Sequence, residues 1–349
     1  MVPSSRSRAF GPAAWCLVAA FLFGASTPAA KTLLPAMGPV LLTGLLYFGA
    51  ALAVGPAACW QWSTHRVASR GNNGRLLGAV LLGGVVGPLL LLWGLSLAPA
   101  GSVSLWLTME TVATALFAQL LFREHLGWRA WLAVSLVLLA SVGLAEHEVG
   151  GRGAAVLVGL ACVAWGLDNS LTALIDGYTT AQITFVKGLT AGVVAAPIGW
   201  LVGGHPSPLQ VLAALVIGAL GYGLSLVLYV AGAQQLGATR SQLWFSTAPL
   251  FGLLIAWAFL GESLAATHGM AVFMMGGALW LLSSERHEHE HQHEALEHTH
   301  WHRHDDGHHD HGHVEPISPE AWHQCRHRHA SLTHSHAHRP DLHHRHAHL

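Results

Sequence analysis

The chain has 349 residues, 52% of them hydrophobic and 10% charged, with a formal net charge of −1. Soluble domains carry about 25% charged residues, so this composition excludes an ordinary soluble enzyme. The absence of a basic stripe with interleaved aromatics excludes a nucleic-acid binder.

Taken in chain order, ten apolar stretches recur, at 10–31, 37–60, 75–97, 101–122, 128–146, 153–174, 180–202, 208–233, 239–260 and 265–283. Each approaches the roughly 20 residues that cross a ~30 Å hydrocarbon core as a helix. Turn chemistry or charge separates them: Leu34-Pro35, the segment Arg66 to Arg75 around Gly71-Asn72-Asn73-Gly74, Pro99-Ala100-Gly101, Arg123-Glu124-His125, and Gly203-Gly204-His205-Pro206. The first stretch has the outline of a secretory signal, with Arg6 and Arg8 ahead of an apolar run and Ala-rich sequence at 25–30. Nine further spans follow it, and it is read as the first of ten. Short loops place Arg6, Arg8, Arg66, Arg70, Arg75, Arg123, Arg129 and Arg240 on the side of the N-terminus, against Lys31 and Arg152 on the other. The positive-inside rule therefore predicts cytoplasmic N- and C-termini. Cys16, Cys59 and Cys162 lie in apolar runs and Cys325 in the tail, a distribution that supplies neither a disulfide framework nor a CxxC zinc site.

The spans repeat. Leu116, Glu124 and Leu126 keep the mutual spacing of Leu254, Glu262 and Leu264, and Phe23-Gly24 near the start of one half answers Trp165-Gly166 near the start of the other. Each half is then a five-span unit, and an odd number of spans sets the two copies in opposite orientations, as in many secondary transporters. With Ala248-Pro249 and Phe259-Leu260-Gly261-Glu262, these residues resemble the drug/metabolite transporter superfamily in its EamA-type branch. The resemblance covers about 10–283 and implies a ten-helix permease. It departs from the pattern at Arg123, where Gly is usual, and at Thr111, where the second half has Pro249.

The predicted architecture is an all-α integral membrane protein of about ten transmembrane helices in two inverted five-helix repeats, plus a disordered His-rich C-terminal tail. The first repeat spans 1–146, the second 150–283, and the tail 284–349.

Ionisable side chains at bilayer depth are expensive and mark functional candidates. Glu110 lies about nine residues into the fourth span, Asp168 and the adjacent Asn169 in the sixth, and Lys187 about seven residues into the seventh. Asp168 and Lys187 are placed to pair, whereas Glu110 has no cation near it in sequence and is the candidate for a substrate cation or a coupling proton. These four form the predicted substrate and coupling site. Trp106, Trp165 and Trp244 lie deep enough to line a central cavity.

The tail holds 22 of the 27 His, the other five being His65, His125, His147, His205 and His268. His287, His289, His291, His293, His298, His300, His302, His304, His308, His309, His311 and His313 form closely spaced, largely His-x-His runs, and imidazole suits Ni, Co, Zn and Cu. These residues are the predicted metal ligands, with Ni2+, Co2+ or Zn2+ bound there and no tightly bound cofactor elsewhere. A permease with such a tail resembles the nickel/cobalt-resistance permeases of metal-tolerant bacteria. The reading is a non-enzymatic, multi-pass permease of a bacterial inner membrane that exports a divalent metal ion, most readily Ni2+ and then Co2+, without ATP, since no phosphate-binding loop is present. Its partners are metal ions and the lipid bilayer, not nucleic acid, and a homodimer is compatible with it. The alternative is an exporter of a small organic metabolite or drug whose tail is regulatory.

Overall fold

The computed structural model describes residues 5–64, 72–122, 127–148, 150–175, 178–236, 241, 244–284, 288–293, 297–302, 323–328 and 332–337. The chain divides into two compact units, Met1–Glu285 and Arg286–Leu349.

Every regular element among the first unit's described residues is a helix. Helix α1 runs over Ser5–Thr64 and α2 over Asn72–Leu97. Then follow α3 (Ala100–Leu121), α4 (Trp128–His147), α5 (Gly151–Ala173), α6 (Thr180–Val202), α7 (Pro208–Ala233), α8 (Ala248–Leu260) and α9 (Ala266–Ser284). The apolar part of α1, 52 residues, would be about 78 Å long as one straight helix, more than twice the hydrocarbon thickness. It is two spans joined at Gly38, whose φ of 67° and ψ of 167° only glycine adopts freely, so the expected break between the first two spans is a one-residue hinge. With α1 counted as two, the described residues hold ten apolar helical segments. Leu201, Phe259 and Phe273, each more than 80% exposed on the isolated chain, belong to the surface that faces acyl chains.

The two halves cross each other reciprocally. A Cβ on Gly24 would lie 2.2 Å from the Ala248 carbonyl oxygen, and one on Gly166 would lie 2.9 Å from Ala113. The first span of each repeat therefore packs, through the glycine of its aromatic-Gly pair, against the fourth span of the other. Close backbone approach is what small residues permit in membranes, and it explains why Phe23-Gly24 and Trp165-Gly166 recur.

Two irregularities also come in pairs. The third span of each repeat has a π-helical stretch, Val80–Val86 in α2 and Ala219–Leu224 in α7. The fourth span of each is interrupted by a two-residue turn: Leu107–Thr108 before Met109, and Ser246–Thr247 before Ala248. The ninth stretch, expected as one helix over 239–260, is broken at Ser246–Thr247, with helical residues described on both sides of the break. The first-half interruption forms without a proline, since Thr111 stands where Pro249 does. There the Thr108 hydroxyl donates to the Leu105 carbonyl at 2.7 Å, a local bond that competes with the helix ladder.

Within the second unit, four short described segments pair as two antiparallel ribbons. Strand β1 (Glu288–His293) pairs with β4 (Leu332–Ala337), and β2 (Glu297–His302) with β3 (His323–Arg328).

Candidate functional site

Glu110 sits in the first turn of the half-helix that follows the break in α3. The exposed N–H groups and dipole of a helix start favour a negative charge there, so the interruption supplies part of what a carboxylate needs at this depth. Its Oε1 accepts from the Asn169 side-chain amide at 3.1 Å, and the same amide reaches Thr114 Oγ1 at 3.3 Å. Glu110 is half-buried and bonded to α5 across the junction of the two repeats. It lies within electrostatic range of Asp168 and Lys187, and of Tyr47, Tyr222 and Tyr229.

Next to Asn169 in the chain, Asp168 forms a buried ion pair with Lys187 at 2.5 Å, with side chains 7% and 15% exposed. Thr172 donates to Asp168 Oδ1 at 3.2 Å and accepts from Lys187 Nζ at 3.2 Å, closing a small network. Gly83, inside the π-helical stretch of α2, makes room for it: a Cβ there would fall 2.0 Å from Asp168 Oδ2. The Gly83 carbonyl accepts from the Tyr47 hydroxyl at 2.6 Å and from Trp165 Nε1 at 3.1 Å. The wide helix thus turns a backbone acceptor toward side chains of α1 and α5, and π-helical turns occur often at functional sites.

The structure therefore brings Glu110, Asn169, Asp168 and Lys187 into one region where the repeats meet. An aromatic group adjoins it: Tyr47 packs against Tyr222 with ring centroids 5.6 Å apart, Phe23 meets Tyr222 edge-on at 5.9 Å and Phe245 at 5.5 Å, and Tyr229 lies 4.8 Å from Phe245. Of the tryptophans expected to line a cavity, Trp106 is fully buried and donates to the Ser141 carbonyl at 3.2 Å, which makes it packing. Trp165 binds Gly83, as above, and Trp244 is exposed.

A second polar set, of which the sequence marked Glu262 as a helix-end hydrogen-bonding residue, gathers where α2 ends and α3 begins. Gly261, with φ of 68°, ends α8 in the left-handed conformation. Glu262 then reaches the start of α3, where the Ala100 and Gly101 N–H groups donate to its two oxygens at 2.7 and 2.8 Å. The Leu260-Gly261-Glu262 motif is thereby a cap that one repeat places on the other. Lys31 donates to the Leu95 and Ala98 carbonyls at the end of α2. Ser102 donates to Glu148 Oε1 at 2.7 Å, and buried His268 stands 3.1 Å from Ser102 and 3.3 Å from Glu148. The Ala265 N–H donates to His268 Nδ1 at 3.2 Å, which assigns the ring proton to Nε2. Of these residues only Glu262 carried a sequence signal, its copy Glu124, which lies outside the described residues.

Of the predicted tail ligands, His289, His291 and His293 are in β1 and His298, His300 and His302 in β2. His287, His304, His308, His309, His311 and His313 lie outside the described residues. Among the described residues no group of three or more His, Cys, Asp or Glu side chains is gathered as a metal site.

The reciprocal packing of two five-span units is matched by comparison with known proteins. The profile of the EamA-like transporter family matches twice, over residues 11–145 and 152–284. The chain belongs to the EamA-like transporter family. An uncharacterized transporter of Methanothermobacter thermautotrophicus is 26% identical over 290 residues, covering 76% of this chain and 84% of that one. A solved crystal structure shares the fold with a TM-score of 0.57 at 17% identity, covering 77% of this chain and 95% of that one. As an EamA-like protein, the chain is a multi-pass membrane transporter and not an enzyme.

Proposed function

We propose that this EamA-like protein is a secondary transporter that exports divalent transition-metal ions, Ni2+ foremost and Co2+ second, by alternating access coupled to an ion gradient. The two inverted repeats rock about their junction, and Glu110 alternately holds the metal ion and a proton. The observation that carries the reading is the position of Glu110: a carboxylate at the start of a half-helix, bonded by Asn169 of the opposite repeat. Discontinuous helices with ligand groups at the break are how many secondary transporters build midplane sites. Asp168 and Lys187 neutralise one another beside it and hold α5 to α6. The tail, on the cytoplasmic face of a bacterial inner membrane, collects Ni2+, Co2+ or Zn2+ and raises its concentration at the mouth of the path.

A second reading, export of a small organic metabolite or drug, is favoured by the aromatic group Phe23, Tyr47, Tyr222, Tyr229 and Phe245. Such a surface suits an organic cation through its π faces.

Reconstituted vesicles decide between them. Ni2+ movement that accelerates when a pH gradient is imposed supports the metal reading. Vesicles that leave Ni2+ where it is, but accumulate aromatic or alkyl amines, support the second and overturn the first.

A further inference from the structure

The polar set at the start of α3 holds a buried titratable side chain that the transport reading leaves without a task. His268, in the first turn of α9, is 5% exposed. Its ring is held on both sides. Nδ1 accepts from the Ala265 N–H at 3.2 Å, the return half of a capping box at the start of α9. Nε2 faces the first repeat, 3.1 Å from Ser102 Oγ and 3.3 Å from Glu148 Oε1, and Ser102 donates to that same oxygen at 2.7 Å. Ser102 lies in the first turn of α3 and Glu148 at the end of α4, so three helix ends meet through one imidazole. The other charged groups at this face have partners of their own. Glu262 takes the Ala100 and Gly101 N–H groups, and Lys31, within electrostatic range of Glu262, takes the Leu95 and Ala98 carbonyls. Exposed Glu146 pairs with Arg152 at 2.5 Å, and exposed His147 is bonded to the Gly143 carbonyl at 2.7 Å. Glu148 is the carboxylate in contact with the His268 ring.

We propose that His268 and Glu148 form a second proton-binding site, separate from Glu110, whose proton latches the two repeats together at this face. With the ring neutral and its proton on Nε2, the cluster carries the single negative charge of Glu148. A further proton has two places to go. On the carboxylate it would discharge the acceptor of two donors beside the α3 start, where negative charge is favoured. On Nδ1 it makes His268 an imidazolium, brings the net charge of the cluster to zero, and turns the contact between the repeats into an ion pair. The cost is local: Nδ1–H and the Ala265 N–H become two donors face to face, and the start of α9 gives up its cap. The proton thus strengthens a link between repeats at the expense of a bond within one. Histidine is the side chain whose charge ordinarily changes between about pH 5 and 8, the range over which a proton gradient acts. Loaded, the latch keeps this face shut. Unloaded, it lets Glu148 and His268 part and the face open. In the orientation proposed above this face is the outer one, so a proton taken from outside closes the path once cargo has left. The latch rests on the proposed gradient-coupled alternating access, but not on the identity of the cargo or the role of Glu110.

Hydrogen exchange of the full-length protein in nanodiscs tests it without any cargo, at about pH 5.5 and about pH 8, either side of the ordinary histidine titration. After correction for the intrinsic pH dependence of amide exchange, residues 100–106 and 143–148 should exchange at least about fivefold more slowly at the lower pH. His268→Gln, whose amide offers an acceptor and a donor but takes no proton, should exchange alike at both. Glu148→Gln, which removes the counter-charge, should do the same, and either variant carries the test if the other fails to fold. His147→Gln, which removes the exposed imidazole next in the chain, should keep the wild-type response. A wild-type protein indifferent to pH or loosened by acid refutes the latch. So does a response that survives in a folded His268→Gln or Glu148→Gln, or one that is lost in His147→Gln. None of these outcomes touches Glu110, which vesicle flux judges separately, and a failure of Glu110 there leaves the latch standing.

Discussion

Substituting Gly83 by Ala puts the pairing of Asp168 with Lys187 to a quantitative test. The added Cβ would stand 2.0 Å from Asp168 Oδ2, whereas ordinary contacts begin near 3.4 Å, so the carboxylate must retreat by more than 1 Å. It cannot do so and keep the 2.5 Å contact with Lys187. Overpacking of this kind costs about 1–3 kcal/mol, and breaking a buried pair costs about 3–5 kcal/mol. Because both side chains are largely buried, little of the second figure is lost to solvent screening. The expected destabilisation of Gly83→Ala is about 3–5 kcal/mol, read by equilibrium unfolding in mixed micelles. The same substitution placed in an Asp168→Ala background should cost less than about 1 kcal/mol, since the clashing group and the pair are both gone already. The decisive quantity is the coupling between the two positions, which should exceed about 2 kcal/mol. Simple additivity of the two changes would refute the packing described for the π-helical stretch.

Glu262→Gln keeps the shape of the cap but removes its charge, and should destabilise the protein by about 1–3 kcal/mol through the two charge-assisted bonds to the start of α3; thermal unfolding of the detergent-solubilised protein checks this. His268→Phe leaves the Ser102–Glu148 pair without its buried third member, with an expected cost of about 1–3 kcal/mol, again read by unfolding. Trp106→Phe should cost a similar amount, because it opens space in a fully buried position and strips the Ser141 carbonyl of a donor. Deleting 285–349 should leave the unfolding transition of the membrane unit in place while removing most of the Ni2+ or Co2+ bound per protein, measured by equilibrium dialysis.

The ten apolar stretches were legible because hydrocarbon thickness imposes one length on every span. The two-fold repetition was legible because Gly24 and Gly166 have the same task on opposite sides of the molecule. Glu110, Asp168 and Lys187 stood out because a charge at that depth needs a reason. What stayed hidden has physical causes too. The break before Met109 carries neither Gly nor Pro and is set by Thr108 bonding back to Leu105. The π-helical stretches leave no mark in hydropathy, since widening a helix by one residue per turn alters which face is presented but not its composition. Glu148 and His268 meet only because the end of α4 meets the starts of α3 and α9, a long-range fact that spacing along the chain does not encode. Asn169 was singled out beside Asp168, yet its bond to Glu110 spans the two repeats and needed the folded chain to be seen.

The claim on which the transport reading depends is that Glu110 carries the cation across. Proteoliposomes containing wild-type protein or Glu110→Gln, matched for protein content and shown to unfold alike, should be loaded with Ni2+ and given an imposed pH gradient. The amide keeps the hydrogen-bonding shape beside Asn169 but can neither hold a proton nor carry charge, so the account predicts that Ni2+ flux and its response to the gradient both vanish. Undiminished, gradient-driven Ni2+ flux through Glu110→Gln would contradict it.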